Sequence, residues 1–173
     1  TTSSAVASVL LQAPVEIVTG RGAGLSNAGL EKKIEVIKEA IALHHPDPED
    51  PLAVLEAVGG FDIAGMCGLM LGGAIYRIPV VLDGLISLMA ALLARKFCPL
   101  VTDFLLPSHM GKEPACAMAM EKLGLEASIY GNLALGEGTG AVMLFPLLDM
   151  AAAVYTQMSS FDDIHVDAYE HLL

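Results

Sequence analysis

The sequence predicts an α/β fold, a parallel sheet with helices on both faces. Apolar, strand-like runs alternate with helix-like stretches along most of the chain. Each strand-like run ends in a polar residue: Asp83 after "VVL", Ser108 after "FLLP", Glu137 after "LAL". The chain is also apolar, with 54% hydrophobic residues and a mean hydropathy of +0.61. That is the composition of strands covered on both faces and of large buried interfaces.

The elements follow in order. Residues 1–12 are small, β-branched and apolar, and suit a helix beginning at or before Thr1. "EIVTGRGAG" (16–24) is expected to be a short strand running into a glycine loop. "NAGLEKKIEVIKEAIALHH" (27–45) is an amphipathic helix with Leu30, Ile34, Ile37 and Ile41 on one stripe and Asn27 as its cap. "PDPEDP" is a loop, and residues 52–60 form a short helix ended by glycines. Residues 62–77 form a helix in which Gly65, Gly68, Gly72 and Gly73 each cost about 1 kcal/mol relative to Ala. Close packing of another backbone there would offset that cost. "IPVVLDG" (78–84) is a buried strand, "LISLMAALLARKF" a helix and "VTDFLLPSH" (101–109) a second strand. A helix over 113–124 carries Pro114 in its first turn. "EASIYGNLALGEG" holds a third strand and a glycine loop, and a long helix runs over about 139–158. Residues 1–158 thus form one three-layer, Rossmann-like domain, and 159–173 an acidic peripheral tail.

Composition narrows the function. There are 9 basic and 20 acidic residues, a net charge of −11. This balance repels nucleic acid and anionic membrane surfaces. A single phosphate can still be held by backbone dipoles. "GLISLMAALLA" is too short to span a bilayer. Pro146 and Asp149 interrupt "GAVMLFPLLDMAAAVY", so no membrane span is expected. The start lacks the basic segment and cleavage pattern of a signal peptide. Cys67, Cys98 and Cys116 are odd in number and without CxxC spacing, as expected of buried thiols in a cytoplasmic protein. The histidines at 44, 45, 109, 165 and 171 show no metal-ligand spacing, and the nine methionines fall at helix-core positions.

The candidate site residues each carry two readings. Glu137 stands among Gly136, Gly138 and Gly140. It is either an acid favoured by a helix N-terminus or a lone carboxylate presented to a flat substrate that lies against the bare loop. In an apolar site it would act as a base. Asp83 is a helix cap or the grip on a ribose diol at the ligand edge of the sheet. Ser108 is a cap or a phosphate donor, and its neighbour His109 a packed or capping residue. "TGRGAG" (19–24) is an ordinary turn or, with Lys33, a phosphate cradle. Lys33, flanked by Lys32 and followed by Lys38, belongs by default to a solvated face.

Four segments taken together carry a resemblance. "GGFDIAGMCGLMLGGA", "IPVVLDGLISLMAALLA", "PSH" with Glu113 following, and "LGEGTGA" resemble, in order and spacing, the nicotinate-nucleotide:dimethylbenzimidazole phosphoribosyltransferases. The similarity runs from Thr1 to about Met158. It implies transfer of the phosphoribosyl group of nicotinate mononucleotide to a benzimidazole-type base, with inversion and loss of nicotinate. The product is the α-riboside phosphate used as the lower ligand of cobamides. Glu137 would be the catalytic base and Leu135 would line the base pocket. Gly22, Lys33, Asp83, Ser108 and Gly136 would contact the nucleotide, with Gly138 completing the loop. The resemblance implies no cofactor or metal, and a homodimer. The sequence departs from the family at "MGK", where a small polar pair usually follows "SH". The family chain is also about twice as long, so this chain corresponds to its second half. The first half, which supplies much of the base pocket and a glycine-rich phosphate loop ending in Asn-Thr-Thr, would be absent, with Thr1-Thr2 as the end of that loop, and the fold would lack its N-terminal side. Other readings are a relative that uses a phenol or adenine acceptor, a non-catalytic nucleotide-binding or assembly domain, and an unrelated α/β domain with a capped helix at 137.

Overall fold

A computed structural model describes residues 1–134 and 136–167. Eight helices surround a small parallel sheet among them. They are α1 (Thr2–Leu11), α2 (Val15–Val18), α3 (Asn27–His44), α4 (Pro51–Val58), α5 (Phe61–Tyr76), α6 (Leu85–Phe97), α7 (Ala115–Leu123) and α8 (Thr139–Gln157). The strands are β1 (Val80–Leu82) and β2 (Leu105–Pro107). They pair in parallel, with Val80 opposite Leu105 and Leu82 opposite Pro107. The architecture is the expected one: α/β, with helices flanking a parallel sheet.

α6 is the centre of the core because it has almost no polar face before its last turn. Leu88, Met89, Ala90, Ala91, Leu93 and Ala94 are all buried. α1, α5 and α7 pack against it, and α6 carries the chain from β1 towards β2. Such a parallel crossover brings the carboxyl ends of both strands to one edge of the sheet.

Several expectations are corrected. Residues 15–18 form a helical turn and no strand. The β-branched run reads as a strand, but Pro14 opens the turn and the i,i+3 spacing buries Val15 and Val18 together. Residues 99–104 form a 3-10 turn, so the second strand starts only at Leu105. Thr102 Oγ1 donates to the Pro99 carbonyl there (3.0 Å). The third strand is reduced to a single parallel bridge between His109 and Ile129. Ser26 caps α3 by accepting from the Gly29 N–H (3.1 Å). Asn27 instead takes a hydrogen bond from Arg21 (2.5 Å).

The outer faces of α5 and α8 are bare. A Cβ placed on Gly65, Gly68 or Gly72 would meet nothing within 4 Å. The backbone expected against that stripe is therefore not supplied by the described residues. Gly73 differs, since a Cβ there would stand 2.8 Å from the Ile78 carbonyl oxygen. Phe61 is 99% and Tyr155 91% exposed, and Val142, Phe145, Met150 and Val154 are exposed along α8. Pro146 and Asp149 do not break α8, which by length and composition alone is long and apolar enough to cross a membrane. Pro146 is tolerated because the Val142 carbonyl that loses its partner lies on an exposed residue, where water can satisfy it.

Candidate active site

The carboxyl ends of β1 and β2 and the N-terminus of α8 meet at one edge of the sheet. Gly136, Glu137 and Gly138 lie there in succession in the left-handed region, with φ of 77°, 56° and 81°. For the two glycines this is free. For Glu137 it costs about 1–2 kcal/mol. Gln12, His45, Arg77, Asn132 and His165 also have positive φ; Glu137 is the acid among these described residues. Glu137 is exposed, so the apolar enclosure expected around it is not built by the described residues. Leu135, expected in the base pocket, lies outside them.

The loop is fastened on two sides. Thr139 closes it, with both its N–H (3.1 Å) and its Oγ1 (2.6 Å) donating to the Gly136 carbonyl. Asp83, at the end of β1, supplies the cap that Gly138 cannot. Its Oδ2 accepts from Gly138 N–H (3.1 Å) and its Oδ1 from Ala141 N–H (3.2 Å). Gly138 occupies the N-cap of α8 and Ala141 its third residue, so a side chain 55 positions upstream plays the part of a local cap.

β2 contributes Ser108 and His109. Ser108 is fully buried. Its Oγ donates to the Asp83 carbonyl (3.3 Å) and pairs with His109 Nδ1 (3.0 Å). The buried His109 ring lies against Gly140, where any Cβ would overlap it and stand 3.0 Å from Asp83 Oδ1. Gly140 is thus required by close approach, whereas Gly136 and Gly138 are suited to left-handed backbone. His109 is packed, the role expected from its place beside Ser108.

A second cluster forms around Gly20. Lys33, half-buried, donates to the Gly20 carbonyl (2.8 Å). Its neighbours stay outside, Lys32 on Glu35 (2.7 Å) and Lys38 on Glu16. Lys33 is therefore set apart from the solvated lysine face. Gly22 is exposed at the loop tip, with φ of 57°. The Glu113 carboxylate occupies the space a side chain at Gly20 would need. Thr1 lies within electrostatic reach of both Lys33 and Glu113. Thr19 Oγ1 is buried and has no hydrogen-bond partner among the described residues. In the sequence Glu113 stands out only as part of the motif that follows "PSH". Its place beside Gly20 arises from a contact between residues remote in the chain, which no local pattern signals.

The two clusters are neighbours. His109 touches the Glu137 loop and Glu113 touches the Gly20 loop. Four residues of chain separate their Cα atoms by at most about 14 Å. Burial and the nearby Glu113 carboxylate push the Cys116 thiol up to about 11, and burial also raises that of Cys67. Neither is a ready nucleophile. Among the described residues Glu137 is the acid with a left-handed backbone, and the chain from His109 to Glu113 links its loop to the one that carries the half-buried Lys33. Such an edge can take a proton from one reactant while holding an anionic group of another.

The class follows from comparison with known proteins. A family model described as a phosphoribosyltransferase matches residues 1–166, and the chain belongs to that family. Among individual proteins, it is 51% identical over 172 residues to the nicotinate-nucleotide–dimethylbenzimidazole phosphoribosyltransferase of Clostridium acetobutylicum, covering 99% of this chain and 49% of the relative. The enzyme of the same name from Acetivibrio thermocellus is 46% identical over 170 residues, with 98% and 48% covered. The crystal structure of CobT from Thermus thermophilus superposes with a TM-score of 0.89 at 38% identity, covering 97% of this chain and 50% of that one. The chain spans about half the length of the relatives it matches.

Proposed function

We propose that this chain contributes the Glu137 half of a nicotinate-nucleotide:dimethylbenzimidazole phosphoribosyltransferase site. The observation that carries the reading is the single acid held in left-handed backbone between two glycines, at the carboxyl edge of the sheet. A ring nitrogen of the acceptor attacks the anomeric carbon of nicotinate mononucleotide. The bond from that carbon to the pyridine nitrogen breaks, and its electron pair leaves with nicotinate. The acceptor N–H proton passes to the Glu137 carboxylate. Glycine backbone on either side lets a planar heterocycle approach that carboxylate without meeting a side chain. Lys33 and the amides of the 19–24 loop, with Gly22 at its tip, hold the phosphate, while Ser108 shapes the ribose side of the edge. Neither cofactor nor metal is needed for a displacement in which the leaving group is already a cationic pyridine.

The remaining half of the relatives' length supplies the acceptor pocket and covers the apolar faces of α5 and α8, and the assembled cytoplasmic enzyme is a homodimer. An apolar helix left uncovered in one half of a protein is accounted for by the other half, so no bilayer is invoked for α8. The test is turnover by residues 1–173 assembled with that remaining half. Glu137→Gln should lower kcat by about 10²–10⁴-fold, the usual loss for a positioned base, with little change in nucleotide binding. Turnover within a few-fold of the parent would reject Glu137 as the base.

A further inference from the structure

We infer that Asp83 is a positioning residue that sets the orientation of Glu137, and that this, rather than a direct hold on the ribose, is its part in the reaction. The inference rests on Glu137 being the base.

Asp83 is itself held from several directions. Its N–H donates to Ser87 Oγ (3.0 Å), and Ser87 Oγ donates in turn to the Gly84 carbonyl (2.8 Å). Its carbonyl accepts from the buried Ser108. With the main chain locked at both groups, the carboxylate has a fixed origin. It spends one oxygen on Gly138 N–H and the other on Ala141 N–H. Those amides lie one and four residues beyond Glu137. The left-handed run at 136–138 therefore has a fixed end, and the strained Glu137 is the residue next to it. Gly138 brings no side chain of its own to cap α8, so removing Asp83 frees the first turn of α8 and the loop together. The contact spans 55 positions, the reach needed to tie the catalytic loop to the sheet. Gly140 keeps the space open for this, because any larger residue would drive the His109 ring or the Asp83 carboxylate away.

A residue that acts through orientation lowers kcat and leaves KM for the nucleotide alone. In the assembled enzyme, Asp83→Ala should reduce kcat by about 10²-fold, the loss expected of a displacement near 1 Å at a reacting group. KM for nicotinate mononucleotide should stay within about threefold, since the anchoring contacts of that substrate are elsewhere. Asp83→Asn keeps one acceptor oxygen and should fall between parent and Ala; it also decides the matter if the Ala variant does not fold. Adding Asp83→Ala to Glu137→Gln should cost nothing further, because two residues serving one proton transfer are not additive. Hydrogen exchange should quicken at Gly138 and Ala141 in the Asp83 variants, whatever the turnover. A rise in KM with kcat unchanged, a full multiplicative loss in the double variant, or unaltered exchange at those amides overturns the inference on its own. Full turnover by Glu137→Gln overturns it differently, by removing the base that Asp83 is said to position.

Discussion

Replacing Gly140 by Ala tests the packing that joins the sheet edge to the α8 loop. Gly140 is not among the positive-φ glycines, so the backbone admits Ala without strain. As the second residue of α8, Ala would gain up to about 1 kcal/mol in helix propensity. The cost comes from the ring of His109, whose Nδ1 and Cε1 lie where the methyl would go. Overpacking of this kind costs about 1–3 kcal/mol. A displaced His109 also loses its bond with Ser108, worth about 1 kcal/mol. The net is a destabilisation of about 1–3 kcal/mol. For a chain of this length that is a fall in Tm of about 2–12 °C, at about 2–4 °C per kcal/mol. The decisive assay is a double-mutant cycle with His109→Ala, followed by thermal unfolding. Once the ring is gone, only the contact with Asp83 Oδ1 at 3.0 Å remains, so Gly140→Ala should cost clearly less than it does with His109 in place. Equal effects of Gly140→Ala in the two backgrounds would refute the reasoning, as would a rise in Tm with His109 in place.

Two further outcomes are expected. Glu137→Gly relieves about 1–2 kcal/mol of left-handed strain against about 0.4–1 kcal/mol of added unfolded-chain entropy, and should raise Tm by up to about 6 °C while turnover in the assembled enzyme is lost; a drop in Tm would show that the side chain stabilises the loop. For Cys116, the thiol is raised from 9.0 to about 11 in the folded chain, so the native state keeps a proton that the unfolded chain releases. This contribution is present in full below about pH 9 and is lost as pH rises through about 11. The stability difference between the parent and Cys116→Ala should therefore narrow across that window in pH-dependent unfolding, by on the order of 2 kcal/mol, and a constant difference would contradict it.

How much was legible beforehand depends on the range of the interactions involved. Periodicity and capping are short-range signals. They located α3, α5, α6, α7 and α8 to within a few residues, because the core-facing stripe and the end residues of a helix lie in one sequence window. They failed at Val15–Val18, where four residues are too few for helical periodicity to separate from a strand run. They failed again at Pro99–Phe104, where apolar residues serve a 3-10 turn. Ser26 and Asn27 are both good caps by type, and only the position of Arg21 assigned them different partners.

At the site, residue order alone sets which residues stand at strand ends and that Glu137 sits alone among glycines. Those are statements about order along the chain. It could not decide why there are three glycines around Glu137. Two lie in the left-handed region, and the third makes room for a histidine far upstream. It offered Asp83 as a cap without saying of which helix. The helix proved to be α8, beyond two intervening helices, and not α6 directly after it. Lys33 and Glu113 were likewise one lysine of three and one acid of a motif until folding brought both to Gly20. Identity and spacing are carried by the covalent chain. Partnership between Asp83 and Gly138, or Glu113 and Gly20, exists only once β1, β2 and α6 pack and bring remote segments within hydrogen-bonding or van der Waals distance.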